Sequence, residues 1–519
     1  MAIKRYYATK DNTITNAYKA DFETRATGAN MGASDVLEVF SIYGQATTSS
    51  SEVTRILLQF DITGSGKTPK TDRTNNKVPA SGSVSWYLHL FNAAHSFTVP
   101  RDFKLLVSPI TRYWEEGTGL DMDTYKDLTY TNQGSNWVQA ASGTNWTSEG
   151  GDFSVEFNST GTFQTGLEDL RLDVTHLVEQ WISGDVVNSG MIIRLSESYE
   201  PSSSTNTIGA TKSYYTKKFF GRGTQYFFKQ PYLEARWNSA RKDNRGNFNY
   251  SSSVAPAADN LNTIYLYNRV RGRLVNLPVG DTGLVFVSLY SGSDDNSKPT
   301  GSSGADDAGL VLVTDGTHVT SVNTSVVTGG YVSTGIYSCS VATTAAATAL
   351  TTLFDVWFTG SPGQHITGGT HFHTGTISPS KLTAQTVNLV RDYTSKITNL
   401  KSTYRSDETA RMRVFTRKKD WNPTIYTVAS VNIEPNIIES GSYRVVRVID
   451  SLEVLPHGTG SDYQTMMSYD VSGSYFDLDM DSLQPGYAYG IKLAFYDEIL
   501  QEWVEQPEIF KFKVERYDD

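Results

Sequence analysis

The chain has 519 residues, 38% of them hydrophobic, with 45 Lys and Arg against 55 Asp and Glu and a formal net charge of −10. That length suits roughly three domains of about 150 residues, and the apolar share excludes global disorder. The acidic balance is poorly matched to a nucleic-acid backbone, no apolar run approaches the ~18 residues of a membrane helix, and one cysteine excludes a disulfide framework or a thiolate zinc cluster.

The 30 Tyr, 23 Phe and 9 Trp beside 42 Gly favour strands and tight turns over long helices. At the N-terminus, "MAIKRYYATKDNT" has no apolar segment behind its basic residues, so no secretory signal is expected. "VTRILLQFDI" follows as a strand whose alternation predicts one face inward, with Leu57, Gln59 and Asp61 opposite Leu58 and Phe60. Phe60–Thr68, "FDITGSGKT", ends like a phosphate-binding loop. Asp61 stands where that loop needs its first glycine, and "PKTDRTNNKVPASGS" after it has two prolines and no helical period. A long loop between strands is the expectation. "DVTHLVEQWISG" is the best helix: Asp173 caps it, Leu177, Val178, Trp181 and Ile182 form one face, and Gly184 ends it.

Polar, Gly and Pro residues gather in "QPYLEARWNSARKDNRGNFNYSSSVAPAADN", which reads as the end of a first block and a linker over 241–258. Short strands resume at "NTIYLYNRVRGRLVNLP", "TGLVFVSLYSG", "AGLVLVTDG" and "TTLFDVWFTG", predicting a β-sandwich over 259–378. Cys339, in "YVSTGIYSCSVAT", reads as a small buried thiol. A third block, 379–519, carries "ARMRVFTRK", "TIYTVASVNI", "SYRVVRVIDSLEVL", "SYFDLDM", "YAYGIKLAFY" and "PEIFKFKVE" as strands.

The first block resembles the DNRLRE-type jelly-roll domain of bacterial surface proteins and tailed-phage virion proteins, through an ordered series of motifs. These are Leu57–Asp61 of the "LLxFD" strand, Trp114–Glu116, Asp173–Trp181 with Asn188 and Gly190, and Pro231–Ala235. The insertion "EEGTGLDMDTYKDLTYTNQGSNW" departs from the family's short turn, and His176 sits where its pattern is open. In the third block, "LQPGYAYGIKLAFY" is similar to the turn and tyrosine strand of immunoglobulin- or fibronectin-like sandwiches, with Tyr487 or Tyr489 placed for a corner hydrogen bond. The tail also resembles virion proteins of cyanophage-like myoviruses. Together the resemblances imply an all-β chain: a jelly-roll sandwich over 1–240, followed by two immunoglobulin-like β-sandwiches.

Candidate chemistry is sparse. Asp121, Asp123 and Asp127 in "GLDMDTYKD" are candidate ligands for a structural calcium, better placed than Asp477, Asp479 and Asp481, whose spacing lacks the calcium-loop glycine and terminal acid. His371 and His373, with His365 nearby, project from one face of an extended chain and would hold a metal on the axis of an oligomer. Glu115 and Glu116 are adjacent and cannot flank one glycosidic bond, and no nucleophile elbow is present. Arg413, Arg417, Lys418 and Lys419 form a basic stretch suited to an acidic partner surface. The expectation is a non-enzymatic virion component without a resident cofactor, made in the host bacterial cytoplasm. It binds other virion proteins at the neck, tail, baseplate or capsid, as a homo-oligomer in a symmetric assembly, with no nucleic-acid or membrane partner. The alternative is a module for host-surface glycan. Trp114 and Trp181 are expected in the core, and the placement of Tyr113, Trp137 and Trp146, in one groove or packed away, distinguishes the two readings.

Overall fold

The computed structural model describes residues 2–47, 50–94, 100–120, 133–200, 213–290, 309–318, 325–344, 352–360, 369–380, 393–419, 425, 436–498 and 500–516. The described chain is all-β, with a few short helices. It groups into two compact units: Met1–Asn238 with Thr459–Gln464, and Ser239–Gly458 with Thr465–Asp519.

The first unit is a sandwich. Strands Ile3–Tyr7, Tyr232–Arg236, Ser85–Leu90 and Leu170–Asp173 form one antiparallel sheet. The other runs in the order Tyr214–Phe220, Val36–Tyr43, Ser51–Gln59, Met191–Leu195, Phe103–Pro109, Ser159–Phe163, and Lys10–Thr15 also pairs with Ser51–Gln59. Trp86, Leu88 and Leu233 from the first sheet meet Ile56, Leu58, Leu105 and Phe219 from the second in one core. Asp462 of the Thr459–Gln464 segment accepts hydrogen bonds from Ser85 Oγ and Tyr87 Oη, both at 2.9 Å.

Three local expectations meet the structure here. The helix runs Thr175–Ser183 and buries Leu177, Val178, Trp181 and Ile182, the predicted face. It ends at Gly184, in the left-handed region at φ +92°. Val174 holds the cap position instead of Asp173, whose carboxylate still accepts the Thr175 N–H at 2.8 Å. Pro69–Thr74, expected as loop, is a short helix: Thr68 Oγ1 caps it from the Thr71 N–H and proline opens its first turn. Six residues are too few to show an apolar period. Strand Ser51–Gln59 is buried on both faces, not one. Ile56 and Leu58 enter the inter-sheet core, while Val53 and Leu57 pack with Ile14, Trp114, Trp137, Trp146 and Ile192 in a second core on the outer face. Trp114 and Trp137, which bound the long insertion, are members of that second layer.

In the second unit, one antiparallel sheet runs Asn262–Tyr267, Ile336–Val341, Val327–Ser333, Val285–Tyr290, Leu353–Phe358, His371–Ile377. Its third strand bends at Gly329–Gly330. The part before the bend pairs with Val285–Tyr290 and the part after it with Ile336–Val341, so the sheet curls around Trp357, Tyr337, Val287 and Cys339. Burial pushes the Cys339 thiol up to about 12, as a core thiol requires. "AGLVLVTDG" yields bridges at Gly309 and Val313 and no regular strand, and residues 426–433 of "TIYTVASVNI" lie outside the described residues.

Two further sheets of this unit face each other. One comprises Tyr393–Ile397, Thr409–Lys418, Gly473–Asp479 and Ser468–Asp470. The other comprises Thr403–Arg405, Phe510–Glu515, Ala488–Asp497, Gly441–Arg447 and Glu453–Leu455, with Glu502–Glu505 along Ala488–Asp497. Tyr443 stacks on Phe476 across them, with ring centroids 4.0 Å apart. The corner bond is made by Tyr489, whose hydroxyl donates to Gln484 O at 2.7 Å, just before a turn with Gly486 at φ +93°.

The segment read as a linker is packed. Phe248 is in the core of the curled sheet, and Arg245 donates to the buried Asp355 carboxylate, to Tyr265 O (3.1 Å) and to Thr376 O (3.4 Å). Asp243 N–H donates to Tyr469 O (3.1 Å), and Tyr469 N–H to Arg241 O (3.0 Å). The segment is thus a seam between the curled sheet and the two that follow.

Candidate functional site

The GSGKT loop turns its donors inward. Asp61 Oδ1 accepts the Gly64 N–H at 2.8 Å, so the loop's own carboxylate occupies one amide that a phosphate would need. Beside it lies an open cleft of about 500 Å³ bounded by Lys10, Gln59, Asp61, Thr63, Trp181 and Asn188. Several of its polar groups already brace the walls. Asn188 Nδ2 donates to Phe60 O (2.7 Å), Asn188 Oδ1 accepts from Gly190 N (3.1 Å), and Lys10 Nζ reaches Trp114 O (3.4 Å).

A carboxyl cluster sits on the same strand, one residue on. Asp11 is buried and accepts the Arg222 N–H, while its own N–H donates to Glu116 Oε1 at 2.8 Å. Arg222 closes the ring on Glu116 with bonds of 2.8 and 2.9 Å. Burial, with the Glu116 charge adding to it, pushes the Asp11 carboxyl up to about 7 despite the Arg222 contacts. Glu115 turns elsewhere and accepts Ser142 N–H at 2.9 Å, so the adjacent acids serve different partners. Nothing local in "KDNTIT" marks Asp11 as perturbed, because both its neighbours are distant in the chain.

The aromatic residues do not form a platform. Trp137 and Trp146 are 7% and 5% exposed within the outer core, Trp146 Nε1 donating to Asn136 O at 2.8 Å, whereas Tyr113 is 62% exposed under the Lys10 ammonium. Trp114 and Trp181 are buried as expected.

Of the metal candidates, Asp121, Asp123, Asp127 and His365 lie outside the described residues. His371 and His373 do not share a face. Trp357 opposes His373 but Phe358 opposes His371, a one-residue bulge, and Trp357 and Phe358 belong to cores on opposite sides of the sheet. His371 Nε2 is instead 2.7 Å from Thr374 Oγ1. Asp477 pairs with Arg411 (2.7 and 3.0 Å), and Asp479 Oδ1 accepts the Asp481 N–H. Among the described residues, no three His, Cys, Asp or Glu side chains converge as a metal site.

The basic stretch divides. Arg413 is held by Asp470 (2.7 and 2.8 Å) over the Tyr475 ring, so it braces the Thr409–Lys418 strand. Arg417 Nη1 donates to Lys418 O at 3.4 Å, and neither Arg417 nor Lys418 has a carboxylate partner among the described residues. No family model matches this chain, and no curated protein does. The likeness of residues 1–240 to DNRLRE-type domains therefore stands on the ordered motifs alone.

Proposed function

We propose that this chain is a structural component of a tailed-phage virion that binds other virion proteins through the outer faces of its β-sheets. The placement of the aromatic and acidic side chains carries the reading. Trp137 and Trp146 fill a core where a glycan module would expose a platform, and Glu115, Glu116 and Asp477 are spent on internal contacts. A mating surface has a counterpart in the second unit. Val446, Val448 and Ile509 converge beside Gly490, Ile449 is 77% exposed on the adjoining turn, and Leu452 closes that turn. Apolar side chains so grouped mark association surfaces.

Immunogold labelling of purified particles with antibodies raised against the full chain tests the proposal. Gold at a fixed position on the particle is expected. Particles free of label, with the chain recovered only in the unassembled lysate, would overturn it. Saturable binding of the full chain on a glycan array, abolished by Tyr113→Ala, would favour the host-glycan reading instead.

A further inference from the structure

Lys217 is out of place by composition. It lies on Tyr214–Phe220, the edge strand of the larger sheet in the first unit, opposite Val39 and pointing with it into the sandwich. The side chain is among the largest fully buried ones, the residue 2% exposed, with Phe163 and Phe219 rings about its Nζ at 5.1 and 5.0 Å. An ammonium in such surroundings is costly unless its protons are matched or its charge is given up. Nζ donates to Asn92 Oδ1 at 2.6 Å, Glu168 O at 2.7 Å and Gly166 O at 3.0 Å.

Asn92 comes from the other sheet, two residues beyond Ser85–Leu90, and bridges to Phe219 where the two layers close. The flanking bonds, Ala93 N to Lys218 O and Phe220 N to Phe91 O, both 3.0 Å, fix that register. The Asn92 N–H donates to Asp169 Oδ1 at 2.7 Å. Next to it, Glu168 Oε1 accepts the Thr165 and Gln164 amides, while Glu168 Oε2 is buried with no hydrogen-bond partner. A buried primary amine and a half-buried side-chain amide therefore meet at one corner.

We propose that Lys217 and Asn92 join in a self-formed isopeptide bond that ties the two sheets of the first unit together. Lys217 first loses a proton. Burial pushes its pKa down to about 8 against the pull of Glu168 and Asp169, so about a tenth of the molecules hold the neutral amine at pH 7. The Asn92 carbonyl carbon lies one C=O bond, about 1.2 Å, behind the oxygen that Nζ touches, and attack needs the neutral amine to move from that oxygen onto the face of the carbon. The amine lone pair attacks Cγ and the C=O π pair moves to oxygen. As the tetrahedral species collapses, the Cγ–Nδ2 bond breaks. Water reaching the half-buried Asn92 takes the proton from the attacking nitrogen and returns it to the departing one. Ammonia leaves and binds the proton first lost, so one amide replaces another with no oxidant or reductant.

Intact mass of the denatured full chain reads the outcome directly. After incubation at pH 8 the wild-type chain is expected to weigh less than its sequence by one ammonia, and digestion should yield a branched peptide joining Lys217 to Asn92. Asn92→Ala and Lys217→Met should each restore the full mass. A wild-type chain that keeps its full mass would show that Lys217 is only a solvated ammonium held by three oxygens, and would overturn the proposal. So would an ammonia loss mapping to any other residue, as from a succinimide. Since the wild-type mass decides, a variant that fails to fold does not protect the idea.

Discussion

At the scale of single residues, the first unit hides a strongly perturbed acid where the sequence looks ordinary. Asp11 alternates along a strand with Lys10, and its burial beside Glu116 follows from the return of the chain near residues 116 and 222. Its carboxyl titrates at about 7 when folded, against an ordinary value of 3.8. A raised carboxyl pKa means the folded state holds a proton that the unfolded state has released. The associated stability is fully present below pH 3.8 and is lost as pH rises through 7. Asp11→Asn keeps the acceptor for Arg222 and removes the titration. Relative to wild type, the variant should gain on the order of 2 kcal/mol between pH 5 and pH 8. Urea unfolding at the two pH values measures this, and an equal difference at both would refute it.

Among the elements, those set by near neighbours were legible and those set by pairing were not. The Thr175–Ser183 helix follows from its apolar spacing and terminal glycine, and the Tyr489 corner from its turn. The two-sided burial of Ser51–Gln59 was hidden, because "ILLQF" reads the same whether or not a distant insertion covers its outer face. The His371–His373 pair failed for a similar reason: alternation predicts one face, but a bulge against Leu353–Phe358 swaps one of them. The helix end offers a direct check. Gly184 has φ +92° and open space where a side chain would go, so Gly184→Ala tests backbone strain without a clash. A loss of about 1 kcal/mol is expected, read as a lower thermal midpoint with an unchanged circular dichroism spectrum. A neutral substitution would show that the end of this helix relaxes.

For the whole molecule, the composition of the stretch after residue 238 was misleading. Its Gly, Asn and Arg residues read as a spacer, yet Arg245 is what makes the curled sheet tolerate a buried acid. Asp355 has no exposure, and its partners are Arg245 and Trp357 Nε1, which donates at 2.6 Å. Burial alone would raise the Asp355 carboxyl, but the Arg245 guanidinium outweighs it and holds the pKa below the ordinary value. Arg245→Met keeps much of the side-chain volume and removes the charge, stranding a carboxylate in the core at a cost of about 3–5 kcal/mol. The acid then takes a proton more easily, so the penalty should shrink at pH 5 and be largest at pH 8, whereas a simple packing defect would not change with pH. Hydrogen exchange localises the damage. Amides of Asn262–Tyr267, Leu353–Phe358 and His371–Ile377, the strands that Arg245 ties together, should lose protection, while Trp86, Leu88 and Ile56 in the separate core of the first unit keep theirs. Uniform loss across both units would mean that folding of the second governs the first. A penalty independent of pH would mean that Asp355 is not the group left unpaired.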